Sequence, residues 1–545
     1  MSKIKCFLKN NYCLVIAILV SLALVLLWFA SLTEQEMLIL FSSDALNLSS
    51  IYHDIFIDGN SVQGWTFNAA PNFIPDMLLF FTLMAITSNF LTATFLFSFI
   101  QYFAIVFLFY AIFRQIAPLK SSVFSFFVYL FSFFLLFFLI SKNIDNNFYY
   151  SFLIMSNSYH NGMFLMTLLC VLLSIRFFKK ESWKTLILLF LLTAIAYPCD
   201  KLFLIAYICP MLLVSIVLLI GRENKRKICK FGIVHVLGLL SGMAILYNLE
   251  HNTVFELTKM HQFINIDGIS NSWNMFYSQI KFYLSEISFN CLTVLLSIIS
   301  FIWTAYYCIN QFIRIRQKKQ ELSLFFIFES FVLFFVPMVI IAPILNGNYL
   351  GYDCIRYNYF VFIVLLFNLV LLSSHFLEKH KYFTIGLNGF LGLTLSVFIV
   401  WNICKMDFVS GLQNYFSNYT ERARNIDIQF SENKAPIYGI TDDYWYAKHV
   451  TMFSRNNIRL YVTYPNAIPF SYFVNRNWYF GGGNWKHANP QFTFLLWTSD
   501  LPLPDFFITE NPPYKSCVLD NGNTLHLVQP FIFDTQTVLP KLLEE

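Results

Sequence analysis

Apolar residues fall along the chain in blocks of about 20, the length a helix needs to cross a hydrocarbon core of about 30 Å. The first runs from Tyr12 to Leu32. Further blocks lie near 91–113, 121–141, 159–178, 185–197, 202–220, 231–249, 288–309, 324–344, 356–375 and 382–402. Each predicts a membrane helix, about eleven crossings in all, with 185–197 the shortest. The first block follows Lys3, Lys5 and Lys9 but outruns the about 7–15 residues of a secretion-signal core, so it reads as a retained anchor. Another apolar stretch, 72–88, opens on Pro71 and Pro75 and stops at Ser88-Asn89, short of or at the about 17 residues a crossing needs. It predicts a segment that is re-entrant or interfacial.

After about residue 404 the continuous apolar runs give way to prolines, Asn-Gly turns and alternation with period two. Pro436 to Ile440, Asp442 to Ser454 and Ile458 to Thr463 read as strand, helix, strand. Ser516 to Leu519 and Thr524 to Val528 flank Asp520-Asn521-Gly522-Asn523, a hairpin signal, because Asn and Gly tolerate the positive φ of tight turns. The predicted fold is a polytopic α-helical membrane domain, 1–403, followed by a mixed α/β domain, 404–545.

Composition agrees: 57% of the 545 residues are hydrophobic and 12% charged, against about 45–50% and about 25% in an average soluble domain. Lipid must be the solvent for most of such a chain. The net charge of +5 is spread through short basic clusters between apolar blocks, which argues against nucleic acid as a partner. These clusters are Arg114 to Lys120, Arg176 to Lys184, Arg222 to Lys230, Arg314 to Lys319 and His375 to Lys381. All fall on the side of the N-terminus if 72–88 does not cross, which makes that side cytoplasmic and the tail extracytoplasmic. Most of the eleven cysteines sit in apolar blocks, and only Cys517 is well clear of the membrane in the tail, so no disulfide framework is expected there.

Polar chemistry then collects on the outer side, in 33–90, 142–158, 198–201, 250–287, 345–355 and the tail. Asp44, about ten residues beyond the first anchor, is placed to meet a substrate at the interface and to accept a proton. Its alternative reading is an N-cap, with Ser43, for a short helix over Ala45 to Phe56. Asp54 and Asp58 read as a solvated face. Asp76 sits in the dipping segment, where a carboxylate is costly unless it faces protein or water. Asp145 lies in the second outer loop as a second candidate acid, and His160, just after that loop, reads equally as a sugar or phosphate ligand or as a histidine satisfied by neighbouring helices. Lys201 and Arg356 stand at outer helix ends, suited to a leaving phosphate, or else to local ion pairs with Asp200 and Asp353. In the tail, Trp485 follows a Gly481-Gly482-Gly483 turn and, with Trp478 and Tyr479, offers rings that stack on sugars or pack inside the domain. No zinc-ligand spacing, nucleophile elbow or Walker loop is present in the sequence.

The loop Phe41-Ser42-Ser43-Asp44 just after the first anchor, the many further crossings and an outer C-terminal domain resemble the GT-C superfamily of membrane glycosyltransferases. The nearest likeness is to bacterial inner-membrane enzymes that glucosylate O-antigen in lipopolysaccharide. The likeness covers the layout of nearly the whole chain. It implies a polyprenyl-phosphate sugar as donor, a glycan or lipid-linked acceptor, membrane lipid as surroundings, and Asp44 as general base. The two-acid motif of some relatives, associated with a divalent cation such as Mg or Mn, is reduced here to Ser42-Ser43-Asp44, one carboxylate. A transporter or flippase of lipid-linked sugars, an O-antigen polymerase or ligase, and a scaffold presenting the tail stay open as alternatives.

Overall fold

Helix dominates the chain and a single five-stranded sheet closes it. The computed structural model describes residues 2–116, 130–131, 150–221, 224–258, 264–285, 289–317, 323–377, 381–405, 408–417, 419–430, 435–480, 490–498, 502–509, 511–519 and 522–533. Among these, five helices are long and apolar enough to cross a membrane: Phe90–Ile116, Asn161–Lys179, Lys225–Glu250, Asn290–Arg316 and Leu324–Leu345. A sixth span results if Val15–Ala30 and Glu34–Leu40, bent by 114°, are taken together. Shorter apolar helices cover Phe73–Thr87, Trp183–Cys199, Leu204–Ile220, Tyr359–Leu372 and Ile385–Trp401. The expected blocks are therefore helical where described; the last two apolar stretches lie within longer helices, Tyr359–Leu377 and Lys381–Lys405, and the short ones are those expected at 185–197 and 202–220. The block expected at 121–141 lies outside the described residues apart from 130–131.

The shortfall has local causes. Pro198 stands in the last turn of Trp183–Cys199, and the next block opens with a wide π-turn over Leu204–Ile208 before regular helix resumes at Cys209. The first anchor ends at Ala30 because Thr33 restarts the chain as a new helix. Its side chain accepts from the Glu36 backbone N–H while Glu36 reaches back to the Thr33 N–H, a capping box read from Thr33-Glu34-Gln35-Glu36. The two helices meet at 114°, and the residues that follow pack against the tail sheet through Ile51, Trp65 and Phe67.

In the tail, strand Ile437–Thr441, helix Tyr444–Phe453 and strand Ile458–Val462 form where expected, with the two strands parallel. The sheet order is Ile458–Val462, Ile437–Thr441, Phe492–Trp497, Thr524–Phe531, Lys515–Val518; the first three run parallel and the last two add antiparallel. The expected hairpin is the final pair, turned through Gly522 at φ 85°. Period-two alternation gives the sheet two apolar faces. Leu460, Val462, Phe494 and Leu496 face the helix Tyr444–Phe453, through Tyr446, Ala447 and Val450. Ile440, Tyr461, Leu495 and Val528 face Ile51, Trp65 and Phe67 of the segment 33–90. The tail is thus built onto residues 33–90, and a short parallel pairing of Thr66–Phe67 with Glu256–Leu257 ties that loop to a third segment.

Candidate functional site

Phe41 to Leu46 runs as turns between the restarted helix and the next one, Asn47–Tyr52, and this leaves Asp44 projecting at the junction of loop and tail. The helix is capped by the Leu46 backbone with no side-chain cap bond, so the N-cap reading of Ser43 and Asp44 falls away. Both residues turn to the tail instead. Ser43 Oγ donates to the Tyr444 carbonyl, and Tyr444 Oη donates to Asp44 Oδ1 at 2.6 Å. Arg356 Nη1 stands 3.7 Å from Asp44 Oδ2 and 3.3 Å from Asp353 Oδ2, so the ion pair expected between Asp353 and Arg356 forms and also takes in Asp44.

Two cavities meet at this junction. One, of about 360 Å³, is polar: Asp44, Asn47, Asn68, Asn157, His160 and Arg356 are among its walls. The other, of about 560 Å³, is lined by the apolar Leu38, Leu40, Leu153 and Ile355 and also by Arg356 and Arg422. Tyr159, Arg356 and Trp445 line both, and Trp445 is 46% exposed. A polar chamber and an apolar one, joined at a guanidinium and an indole, suit an amphiphile whose charged or sugar-bearing end lies at the join.

The tail helix also supplies Lys448, buried and donating at 3.1 Å to Oδ1 of Asn47, a residue of the polar chamber's wall. Burial pulls its ammonium down to about 8, against the opposing pull of the Asp44 charge. Burial, then the charge of Asp44, pushes the Tyr444 phenol above its ordinary value, so the phenol stays a donor to the carboxylate. Burial also drives His449 down to about 3, so this residue is neutral and serves as a bridge between the Phe41 carbonyl and Thr420 Oγ1.

The other sequence candidates separate. His160 lines the polar chamber, its Nδ1 2.6 Å from Asp200 Oδ2. Asp200 and Lys201 do not pair with each other, contrary to the local ion-pair reading: Lys201 reaches Glu250 at 3.0 Å and lies off the chamber. Asp76 is buried behind the wall, packed so closely on Gly162 that a Cβ there would sit 2.1 Å from its Oδ2. Asp145 and Trp485 lie outside the described residues. Trp478 and Tyr479 are buried in the tail core, the packing role, and the exposed ring beside the chamber is Trp445 instead.

Asp54 departs most from expectation. Rather than a solvated face it is 3% exposed, and four neutral N–H donors converge on it: Asn60 at 2.9 Å, Trp65 at 2.7 Å, Asn475 at 2.9 Å and Trp478 at 2.7 Å. Burial raises its pKa and the four bonds oppose that rise. Asp58 nearby pairs with Arg459 at 3.1 Å and with His53 at 3.2 Å.

Sequence reasoning missed Tyr444, Trp445, Lys448, Asn47 and Arg422. The signal for Lys448 is a charge within an otherwise largely apolar helix, four residues from Tyr444 and between Ala447 and His449. Among the described residues no three His, Cys, Asp or Glu side chains converge as metal ligands. The fold and site define a mostly helical protein with membrane-length apolar helices and a C-terminal mixed sheet closing over a carboxylate-bearing cavity. No protein-family model matches the chain, and no curated protein matches it.

Proposed function

We propose that the chain is a GT-C-like membrane glycosyltransferase that moves a sugar, glucose in the nearest likeness, from a polyprenyl phosphate to a glycan or lipid-linked acceptor. In this reading it crosses a bacterial inner membrane about eleven times, the shorter helices included, with its N-terminus cytoplasmic and its tail periplasmic. The observation that carries the reading is the join of the two cavities at Tyr159, Arg356 and Trp445, with Asp44 on the polar side 3.7 Å from Arg356 Nη1. The apolar chamber takes the prenyl chain, Arg356 and Arg422 hold the phosphate, and the polar chamber takes sugar and acceptor. Trp445 offers a ring face on which a sugar stacks.

The acceptor hydroxyl gives its proton to Asp44 Oδ2 as its oxygen bonds to the anomeric carbon. The bond from that carbon to the phosphate oxygen breaks, and the lipid phosphate departs with the electron pair toward Arg356. General-base assistance of this kind is worth about 10²–10⁴ in rate. Tyr444 keeps Asp44 aimed through Oδ1, and Oδ2, with the Arg356 guanidinium at 3.7 Å, is the oxygen that takes the proton. The test is transfer of radiolabelled glucose from prenyl-phosphate glucose by the purified full chain in liposomes, wild type against Asp44→Asn. A fall of at least about 100-fold with unchanged melting temperature supports the assignment; undiminished transfer removes it.

A further inference from the structure

His160 carries two features that packing alone does not require. It follows Tyr159 in a pair of consecutive left-handed residues, at φ 62° and φ 66°, immediately before the helix Asn161–Lys179. Side chains with a Cβ adopt that conformation at a cost, and such strain persists where surrounding contacts hold it in place. What holds the imidazole is Asp200, 3% exposed, whose Oδ2 takes the Nδ1 proton at 2.6 Å while its Oδ1 accepts from the Leu202 N–H at 3.0 Å. With Nδ1 committed to a buried carboxylate, the Nε2 edge is the working edge of the ring, and the ring lines the same chamber as Asp44 and Arg356. A carboxylate behind a histidine sets its tautomer and stabilises the imidazolium.

We propose that His160, oriented by Asp200, binds the phosphate of the lipid donor through Nε2–H and delivers that proton to the departing oxygen. This rests on the glycosyl-transfer reading for its chemistry but not for its binding half. The chamber then holds a base and an acid on separate supports, Asp44 for the acceptor hydroxyl and His160 for the leaving group. In the step, the Nε2–H bond breaks as the phosphate O–H bond forms. The anomeric C–O bond to phosphate breaks with its electron pair going to that same oxygen. The proton taken by Asp44 from the acceptor returns the site to its starting charge through solvent exchange with His160. Asp200 is a positioning residue, since it reaches the substrate only through the imidazole.

The left-handed backbone supplies a clean test, because glycine is at ease at φ 66°. If His160 served only to begin its helix, His160→Gly would leave the protein as stable or more so, with function intact. The proposal expects His160→Gly in the full chain in liposomes to stay folded, relief of the left-handed backbone offsetting part of the loss of Asp200's imidazole partner. It also expects the variant to bind farnesyl phosphate about tenfold more weakly, and to transfer glucose from prenyl-phosphate glucose about 100-fold more slowly. Added imidazole restores part of the rate, and Asp200→Asn gives a smaller loss that imidazole does not restore. Binding that depends on His160 without any transfer by the wild type would sink the transferase reading and leave the phosphate contact standing. Equal farnesyl phosphate binding by wild type and His160→Gly, or binding by neither, overturns the proposal.

Discussion

Asp44 and Asp54 sit ten positions apart in one loop, yet the tail treats them in opposite ways. Asp54 meets four neutral N–H groups, two from the loop and two from the tail, and is sealed from water. Asp44 meets one phenol and one distant guanidinium, keeps about a quarter of its side chain exposed, and opens on a chamber. A carboxylate with every lone pair engaged is architecture, since it has nowhere to put a proton without losing a bond. One with an unengaged edge over a cavity has the freedom that chemistry needs. The lesson is that saturation of partners, not burial or sequence context, separates the two roles.

Removing Asp54 should test that contrast most severely. Asp54→Ala strands four buried donors and is expected to lower stability by on the order of 3–5 kcal/mol. Limited proteolysis and thermal melting of the full chain would register it, and a change under about 0.5 kcal/mol, the usual effect at a solvated surface position, would end the clasp reading. Asp44→Asn, by contrast, should leave the melting temperature unaltered.

Lys448 extends the comparison to a buried cation. Because its folded-state value lies near 8, below its ordinary 10.5, the unfolded chain holds the proton more tightly across that interval. Stability is therefore lowest below about pH 8 and rises as pH climbs toward 10.5, by about 1.4 kcal/mol per unit and on the order of 3 kcal/mol in all. Lys448→Met should abolish this rise in melting temperature between pH 8 and pH 10. An identical slope in the variant would show that other groups carry it.

The smallest expected effect sharpens the Asp44 side alone. Tyr444→Phe removes the 2.6 Å bond to Asp44 Oδ1 and leaves Oδ2 untouched. Transfer should fall about tenfold, equivalent to about 1.4 kcal/mol, while Asp54 and the tail sheet stay in place. A loss as deep as that of Asp44→Asn would mean that the phenol does more than aim the carboxylate.

Much of the architecture was legible in advance. Block lengths and hydropathy announced the helices, and alternation with Asn-Gly turns announced the tail strands. Asp44 and Arg356 were both singled out from the sequence as candidate site residues. Their proximity was not legible, nor was the part played by Tyr444, Trp445 and Lys448 beside them, some 400 positions from Asp44 in the chain. Asp54 was misread for the same reason: half of its hydrogen-bond donors come from Asn475 and Trp478.

By itself, then, the sequence determined which segments are apolar helix and which are strand, because those choices depend on periodicity and neighbours within a few turns. Only the tertiary structure decided which carboxylate is sealed and which stands open, and that Asp200 serves His160 rather than Lys201. Partnership of charged groups acts over a few ångströms of space, and distance along the chain carries no information about it.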